Sequence, residues 1–248
     1  MPYTLFISDL HLCTKQPQCV KVFMHFMKHI APQAEALYIL GDLFEYWVGD
    51  DDIDDPLHQQ ITRAMRALTE SGTRLFLMHG NRDLLMGKVL EQASGGTLLT
   101  DPTLIDLYGT PTILTHGDAL CTDDVAYQSF RKQVHDAGWQ QLFLAQPLAQ
   151  RKTQIEQMRT RSESEKQTKS TEIMDVNAES VAGFLREHGY PRLIHGHTHR
   201  PMHSQHHLDG YTCERWVLGD WHKTGNALRC DAQGCHVELV KSSSNKET

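Results

Sequence analysis

Short apolar runs that end in glycine and polar side chains recur along the chain, and this pattern constrains its fold more than any other feature. Four such runs predict strands, at residues 3–7, 37–40, 75–78 and 112–115. Apolar residues at helical spacing predict helices at 20–30 and 56–70, and a short helix from Leu84. Strands alternating with helices predict an α/β fold or an α-β-β-α sandwich, and in such folds the ligand site lies beyond the strand ends.

The residues that follow the strands are of the kinds that bind metals. The motifs are D-x-H at 9–11, G-D at 41–42, G-N-R-D at 80–83, H-G-D at 116–118 and G-H-x-H at 196–199. Each is weak alone, since Gly41-Asp42 could be a simple turn and His116 a core histidine. Together they predict carboxylate, amide and imidazole groups on one side of a sheet.

Such a set of groups suits a pair of divalent cations. Two cations about 3.5–4 Å apart need a carboxylate that bridges them, and they turn water into a nucleophile near neutral pH. Asp, His and Asn side chains suit Mn²⁺, Fe²⁺ or Zn²⁺, and the absence of Cys from the motifs argues against a structural zinc site.

Several neighbouring polar residues are expected to support this site. On an extended strand His195, His197 and His199 share one face, and we expect His195 to stand behind the other two. Asp83 and Asp118 are expected to orient the ligands. The run of acids at 50–52 is interpreted as a solvated loop.

Residues 125–170 interrupt the alternation with a helical pattern, between core segments 1–124 and 171–240; a polar tail covers 241–248. The insertion holds eight Lys and Arg residues against four acids, while the whole chain has a net charge of −7. Residues 139–145 of the insertion are rich in apolar side chains. It is either an ordinary helical subdomain or a lid for an anionic amphiphile or an anionic membrane surface.

Composition limits the partners and the compartment. The net charge of −7 argues against nucleic acid as the main partner. Six cysteines without a CxxC pair suggest free thiols in a reducing compartment. The chain has neither the pattern of a signal peptide nor an apolar run near the ~18 residues of a membrane span. We therefore expect a cytoplasmic, soluble chain, at most attached to a membrane surface.

The ordered motifs resemble those of the calcineurin-type metallophosphoesterase superfamily, from residue 3 to about residue 221. Within it the chain is similar to the UDP-2,3-diacylglucosamine diphosphatases of lipid A biosynthesis. The runs that carry this resemblance are FISDLHL, LYILGDLFEYWVGDDD, HGNRDLL, THGDALCTDD, IMDVN and LIHGHTHRP.

The resemblance implies roles for individual residues. For the metals it implies one ion held by Asp9, His11 and His199, a second held by Asn81, His116 and His197, and Asp42 as the bridge. It implies catalytic roles for Asn81 and Arg82. The fixed positive charge of Arg82 suits stabilisation of the charge on a phosphoryl group. For substrate binding it implies Asn81, Arg82, Asp124, Ser162, Lys166, Lys169 and His197.

The resemblance also implies a reaction, the hydrolysis of the pyrophosphate bond of UDP-2,3-diacylglucosamine to UMP and 2,3-diacylglucosamine 1-phosphate. Two Mn²⁺ ions are expected, with Fe²⁺ or Zn²⁺ as the alternatives. The insertion would shelter two acyl chains, in a monomer bound peripherally to the cytoplasmic face of the inner membrane. Two alternatives stay open: a metallophosphoesterase for another phosphodiester or nucleotide, and a metal-dependent scaffold without activity.

Overall fold

A computed structural model describes residues 1–168, 173, 175–222 and 224–240, with the side chains of 161–168 excepted. The strands are β1 (Thr4–Ile7), β2 (Ala36–Leu40), β3 (Arg74–Met78), β4 (Thr97–Leu99), β5 (Thr103–Leu107), β6 (Thr110–Thr115), β7 (Arg192–His195), β8 (Met202–Leu208), β9 (Tyr211–Val217), β10 (Gly225–Asp231) and β11 (Gly234–Val240). The helices are α1 (Pro17–His29), α2 (Pro56–Glu70), α3 (Lys88–Ser94), α4 (Val125–Val134), α5 (Ala137–Leu144), α6 (Leu148–Thr168) and α7 (Ala178–Glu187).

The strands form two mixed sheets. One has the order β11-β10-β1-β2-β3-β4, and the other the order β5-β6-β7-β9-β8. In the first sheet β1, β2, β3 and β4 are parallel, and in the second β6, β7 and β9 are parallel. Parallel strands bring their carboxyl ends to one edge, so the motifs that follow β1, β2, β3, β6 and β7 meet there.

Alternation along the strands assigns each apolar side chain to one of the layers. Phe6 of β1 lies between the two sheets, where it packs with residues such as Leu114 of β6. Its neighbours Leu5 and Ile7 face the other way, toward the buried sides of α1 and α2. On the far side, Val181 of α7 packs against the second sheet. The predicted α-β-β-α sandwich is therefore confirmed.

Helix α3 begins at Lys88, four residues later than the sequence predicts. The carboxylate of Asp50 accepts the backbone N–H groups of Gly87 (2.9 Å) and Val89 (2.8 Å). An acceptor at these otherwise unpaired amides fixes the start of the helix. The prediction of a helix from Leu84 was wrong because this cap comes from a distant loop.

Helix α6 meets the core through cations. Arg151, which is buried, donates to the carbonyl oxygen of Val48 and to Asp51. Lys152 Nζ lies 2.6 Å from Asp52 Oδ1, and Asp52 is only 2% exposed. The interpretation of residues 50–52 as a solvated loop was thus wrong for Asp50 and Asp52, because α3 and α6 supply partners that the local sequence does not contain. The side chain of Asp51, in contrast, is 58% exposed.

The expectation of free thiols was wrong for one pair of cysteines. Cys230 and Cys235 are opposite each other in the β10–β11 hairpin and form a disulfide. Strand register, which linear spacing does not show, brings them together. As for membrane spans, no helix in the described ranges has the length and hydropathy to cross a bilayer.

Candidate metal centre

Five of the expected ligands have a left-handed backbone: Asp9 (φ 57°), His11 (φ 49°), Asp42 (φ 52°), His197 (φ 68°) and His199 (φ 55°). Few non-glycine residues adopt positive φ, and such strain is concentrated at functional sites. Here it turns the chain sharply beyond each strand, so that polar side chains enter one space. A Cβ atom on Gly80 would clash with Asp42, and one on Gly196 with Asp9.

Asp9, His11 and His199 form the first cluster of ligand atoms. Oδ2 of Asp9 accepts the Ser8 hydroxyl (2.7 Å) and the N–H of His197 (2.9 Å). Its Oδ1 lies 3.3 Å from Nε2 of His199, which is 3.2 Å from Nε2 of His11. Two imidazole nitrogens and a carboxylate oxygen therefore face a common point, as ligands of one cation do.

Asn81, His116 and His197 form the second cluster. Oδ1 of Asn81 lies 3.2 Å from Nε2 of His116 and 3.0 Å from Nδ1 of His197. Nδ1 of His116 lies 2.9 Å from the carbonyl oxygen of Leu40, a hydrogen-bond acceptor. This bond assigns the proton to Nδ1 and leaves the lone pair of Nε2 for the site.

Asp42 lies between the two clusters. Its Oδ2 is 3.7 Å from Nε2 of His11 and 3.9 Å from Nε2 of His116. The other oxygen, Oδ1, accepts the backbone N–H of Arg82 at 2.8 Å. Oδ2 of Asp42 therefore faces imidazole nitrogens from both clusters.

The charges of this buried site are unbalanced without cations. Burial raises the pKa of Asp42, and nearby acids raise it further. Burial lowers the pKa of His116, but Asp42, Asp9 and Asp118 raise it to about 9. Divalent cations would supply this positive charge in place of protons. Nitrogen and oxygen donors without thiolates suit a divalent transition metal, so the residues fit such ions.

Polar groups behind the ligands hold the motifs in place. Asp83 accepts the backbone N–H groups of Gly80 and Leu43, both at 2.8 Å, and so joins the turns after β2 and β3. Asp118 accepts the Tyr127 hydroxyl at 2.6 Å, and the Tyr127 ring stacks on His197 with centroids 5.7 Å apart. Asp118 therefore supports His197 through Tyr127, and its negative charge also raises the pKa of His116.

His195 supports the site and is turned away from it. Its Nδ1 lies 2.9 Å from the carbonyl oxygen of Gly196, and its Nε2 accepts Nε–H of Arg215 at 2.9 Å. Burial and the Arg215 guanidinium lower the pKa of His195 to about 3. Both ring nitrogens of this neutral imidazole are engaged, so neither can bind a metal.

The expected substrate residues are only partly described. Arg82 is next to the clusters, with Nη1 at 3.9 Å from Oε1 of Glu45. Asp124 caps α4, since its Oδ1 accepts the N–H of Tyr127 at 3.0 Å. Three residues of the insertion, Ser162, Lys166 and Lys169, have side chains outside the described part of the chain.

Two acidic residues of the site were missed in the sequence. Oδ2 of Asp220 lies 3.4 Å from Nδ1 of His199, and Asp220 and His199 belong to a second group of potential ligand atoms with His222. The sequence did contain a signal for Asp220, because an apolar run followed by Gly219-Asp220 repeats the pattern at Gly41-Asp42. Glu45, 3.7 Å from His11, lies five residues beyond the end of β2 and belongs to none of the motifs that the sequence singled out.

Fold and site together define a metal-dependent phosphoesterase. Residues 3–201 match the family model of calcineurin-like phosphoesterases. The UDP-2,3-diacylglucosamine hydrolase of Aromatoleum aromaticum is 54% identical to this chain, over 95% of this chain and 96% of that protein. The UDP-2,3-diacylglucosamine hydrolase of Escherichia coli is 46% identical to it, over 96% of this chain and 98% of that protein. The chain therefore belongs to the calcineurin-like phosphoesterase family and, within it, to the group of these hydrolases.

A solved structure supports the fold. A hypothetical protein of Pyrococcus horikoshii has a TM-score of 0.50 to this chain, over 100% of it and 90% of that protein, with 11% identity. At that identity the likeness concerns the fold alone.

Proposed function

We propose that the chain hydrolyses the pyrophosphate bond of UDP-2,3-diacylglucosamine, giving UMP and 2,3-diacylglucosamine 1-phosphate in lipid A biosynthesis. The observation that carries the proposal is the placement of Asp42 Oδ2 within 4 Å of imidazole nitrogens from two clusters, in a chain whose relatives are UDP-2,3-diacylglucosamine hydrolases. The centre fits phosphoryl chemistry, and the relatives indicate the substrate.

The ligands divide between two ions, for which we propose Mn²⁺. Asp9, His11 and His199 would hold one ion, Asn81, His116 and His197 would hold the other, and Asp42 is placed to contribute to both. When bound, the ions would polarise the phosphoryl oxygens and lower the pKa of water for attack on the α-phosphorus. Asp220 faces the second ring nitrogen of His199 and keeps that ring turned toward the site.

The substrate is positioned by residues beside the ligands. Arg82 stabilises charge on the transferring phosphoryl group, and its guanidinium is available for two parallel hydrogen bonds to phosphate oxygens. Asn81 and His197, whose side chains lie 3.0 Å apart, contact the phosphoryl group beside Arg82, and Asp124 contributes from the start of α4. Ser162, Lys166 and Lys169 of the insertion bind the remainder of the substrate.

Residues 125–170 act as a lid on a discontinuous core formed by 1–124 and 171–240. Leu142 is 73% exposed, and Val125, Phe130 and Leu144 are exposed as well. An exposed apolar surface on a basic insertion suits acyl chains and the anionic headgroups of a membrane. The chain would then act as a monomer, bound peripherally to the cytoplasmic face of the inner membrane.

Parallel assays test the substrate. Purified protein with Mn²⁺ is supplied with acylated UDP-glucosamine and, separately, with a soluble chromogenic phosphodiester. We expect turnover of the acylated sugar nucleotide to exceed that of the diester by orders of magnitude. Comparable turnover of both would favour the alternative, a phosphoesterase for another phosphodiester or nucleotide.

Labelled water tests the position of attack. In H₂¹⁸O, attack on the α-phosphorus places ¹⁸O in UMP and leaves the lipid phosphate unlabelled. Label in 2,3-diacylglucosamine 1-phosphate instead would show attack on the β-phosphorus and contradict the proposed mechanism.

A further inference from the structure

Glu45 is a buried carboxylate in the turn that follows β2. Its side chain is withdrawn from solvent, with the residue 6% exposed, and its backbone N–H donates to the carbonyl oxygen of Leu12 at 3.2 Å. A buried carboxylate is costly unless cations or hydrogen bonds compensate it. The two oxygens of Glu45 find different partners, one in the metal centre and one in the lid.

The oxygen Oε2 faces the metal centre. It lies 3.7 Å from Nδ1 of His11, a buried nitrogen that forms no hydrogen bond within the described ranges. Nε2 of His11 is turned toward Asp42 and His199. An imidazole that binds a metal through one nitrogen carries its proton on the other, and a carboxylate near that N–H orients the ring.

The oxygen Oε1 faces two arginines. It lies 2.8 Å from Nη2 of Arg159 on α6 and 3.9 Å from Nη1 of Arg82. Arg151 and Lys152 also attach α6 to the core. Arg159 differs from these two cations, because its partner Glu45 also faces His11, an expected metal ligand.

We propose that Glu45 is a positioning residue that couples the lid to the metal centre. One oxygen orients His11, and the other holds Arg82 and Arg159 together against their mutual repulsion. The position of α6 then affects the geometry of the first cluster and of Arg82. This inference rests on the proposed function, in which His11 is a metal ligand.

The test compares Glu45→Ala and Glu45→Gln with a control in which the lid alone is weakened. Asp51→Asn serves as this control, because Asp51 pairs with Arg151 on the same helix and is remote from His11 in the network described. For each variant, Mn²⁺ titration gives the affinity and stoichiometry, and limited trypsin digestion reports release of α6. Glu45→Gln retains the shape of the side chain and removes its charge. If Glu45→Ala does not fold, Glu45→Gln alone therefore tests the inference.

We expect Glu45→Ala to weaken binding of one of the two ions about 10–100-fold, the usual effect of losing a residue that orients a ligand. Trypsin should also cut α6 faster in this variant. Asp51→Asn should speed the cleavage of α6 without changing the affinity for Mn²⁺. Glu45→Gln should weaken binding of the same ion, because a neutral glutamine replaces the carboxylate.

Unchanged Mn²⁺ affinity in both Glu45 variants, beside a wild-type chain that binds two ions, would overturn the inference and leave Glu45 as an attachment for the lid. If trypsin cut α6 at the wild-type rate in both Glu45 variants, that result would likewise contradict the coupling between the lid and the metal centre. A wild-type chain that binds no Mn²⁺, in the same titration, would instead contradict the proposed function. A His11→Ala chain provides the reference for complete loss of the first site.

Discussion

At the scale of single residues, a backbone conformation that costs free energy is repeated at five expected ligands, from Asp9 to His199. Each such residue costs about 1–3 kcal/mol relative to an unstrained one. Strand hydrogen bonding and close contacts at Gly80 and Gly196 keep the turns in place. The strain therefore marks the site as arranged for binding before any ion is considered.

Replacing Asp42 by Ala should remove metal binding and leave the fold intact. Burial and nearby acids disfavour this carboxylate in the folded chain, so its loss should not lower the melting temperature of the metal-free protein. We expect a stoichiometry below two ions per chain, and activity at least ~100-fold lower, the upper end of the loss caused by a residue that merely orients a ligand. Two bound ions and retained activity would refute the bridging role.

Replacing Asp220 by Ala should act on one ion only. Asp220 faces Nδ1 of His199, and this ring also approaches Asp9 and His11. We expect the affinity for the ion at the cluster of Asp9, His11 and His199 to fall about 10–100-fold, with activity restored by excess Mn²⁺. Activity that excess Mn²⁺ cannot restore would point instead to a direct contact of Asp220 with substrate.

At the scale of elements, the proposed lid (residues 125–170) combines a buried side and an exposed side within a few residues. Phe143 is 2% exposed and stacks on Trp139, with centroids 5.0 Å apart, whereas its neighbour Leu142 is 73% exposed. The sequence run at 139–145 shows a single apolar block, and only the packing of α5 separates the two roles.

This separation predicts opposite outcomes for neighbouring substitutions. Leu142→Gln should leave the free energy of unfolding within about 0.5 kcal/mol, as surface changes do, and raise KM for the acylated substrate more than for a deacylated analogue. Phe143→Ala should instead destabilise the lid by about 3 kcal/mol. Equal effects of Leu142→Gln on both substrates would show that this surface does not contact acyl chains.

At the scale of the whole molecule, the metal centre joins both sheets. Asp9, Asp42 and Asn81 follow strands of the first sheet, while His116, His197 and His199 follow strands of the second. Ions held between them would therefore link the two sheets and stabilise the folded chain against unfolding.

Mn²⁺ should accordingly raise the melting temperature of the chelated protein. One ion at 100 times its dissociation constant contributes about 2.7 kcal/mol, and in a chain of this size each kcal/mol shifts the melting temperature by about 2–4 °C. Differential scanning fluorimetry should thus show a rise of roughly 5–10 °C per ion. The Asp42→Ala chain is the control, and an equal rise in it would contradict binding at this centre.

By itself the sequence predicted the strands, the sandwich and the kinds of side chain at the site. Apolar runs with polar ends predicted that carboxylate, amide and imidazole groups gather on one side of a sheet. Strand periodicity and residue chemistry are local properties, so they can be read along the chain.

The tertiary structure alone decided which groups support that set. Glu45 comes to lie beside His11, Asp50 caps α3, Asp52 is buried under α6, and Cys230 faces Cys235. These pairings depend on contacts between residues distant in sequence or on strand register, and the free energy of such contacts comes from packing that no local pattern encodes. His195 shows the difference: its spacing matches that of its two neighbours, but Arg215 and Gly196 occupy both of its nitrogens.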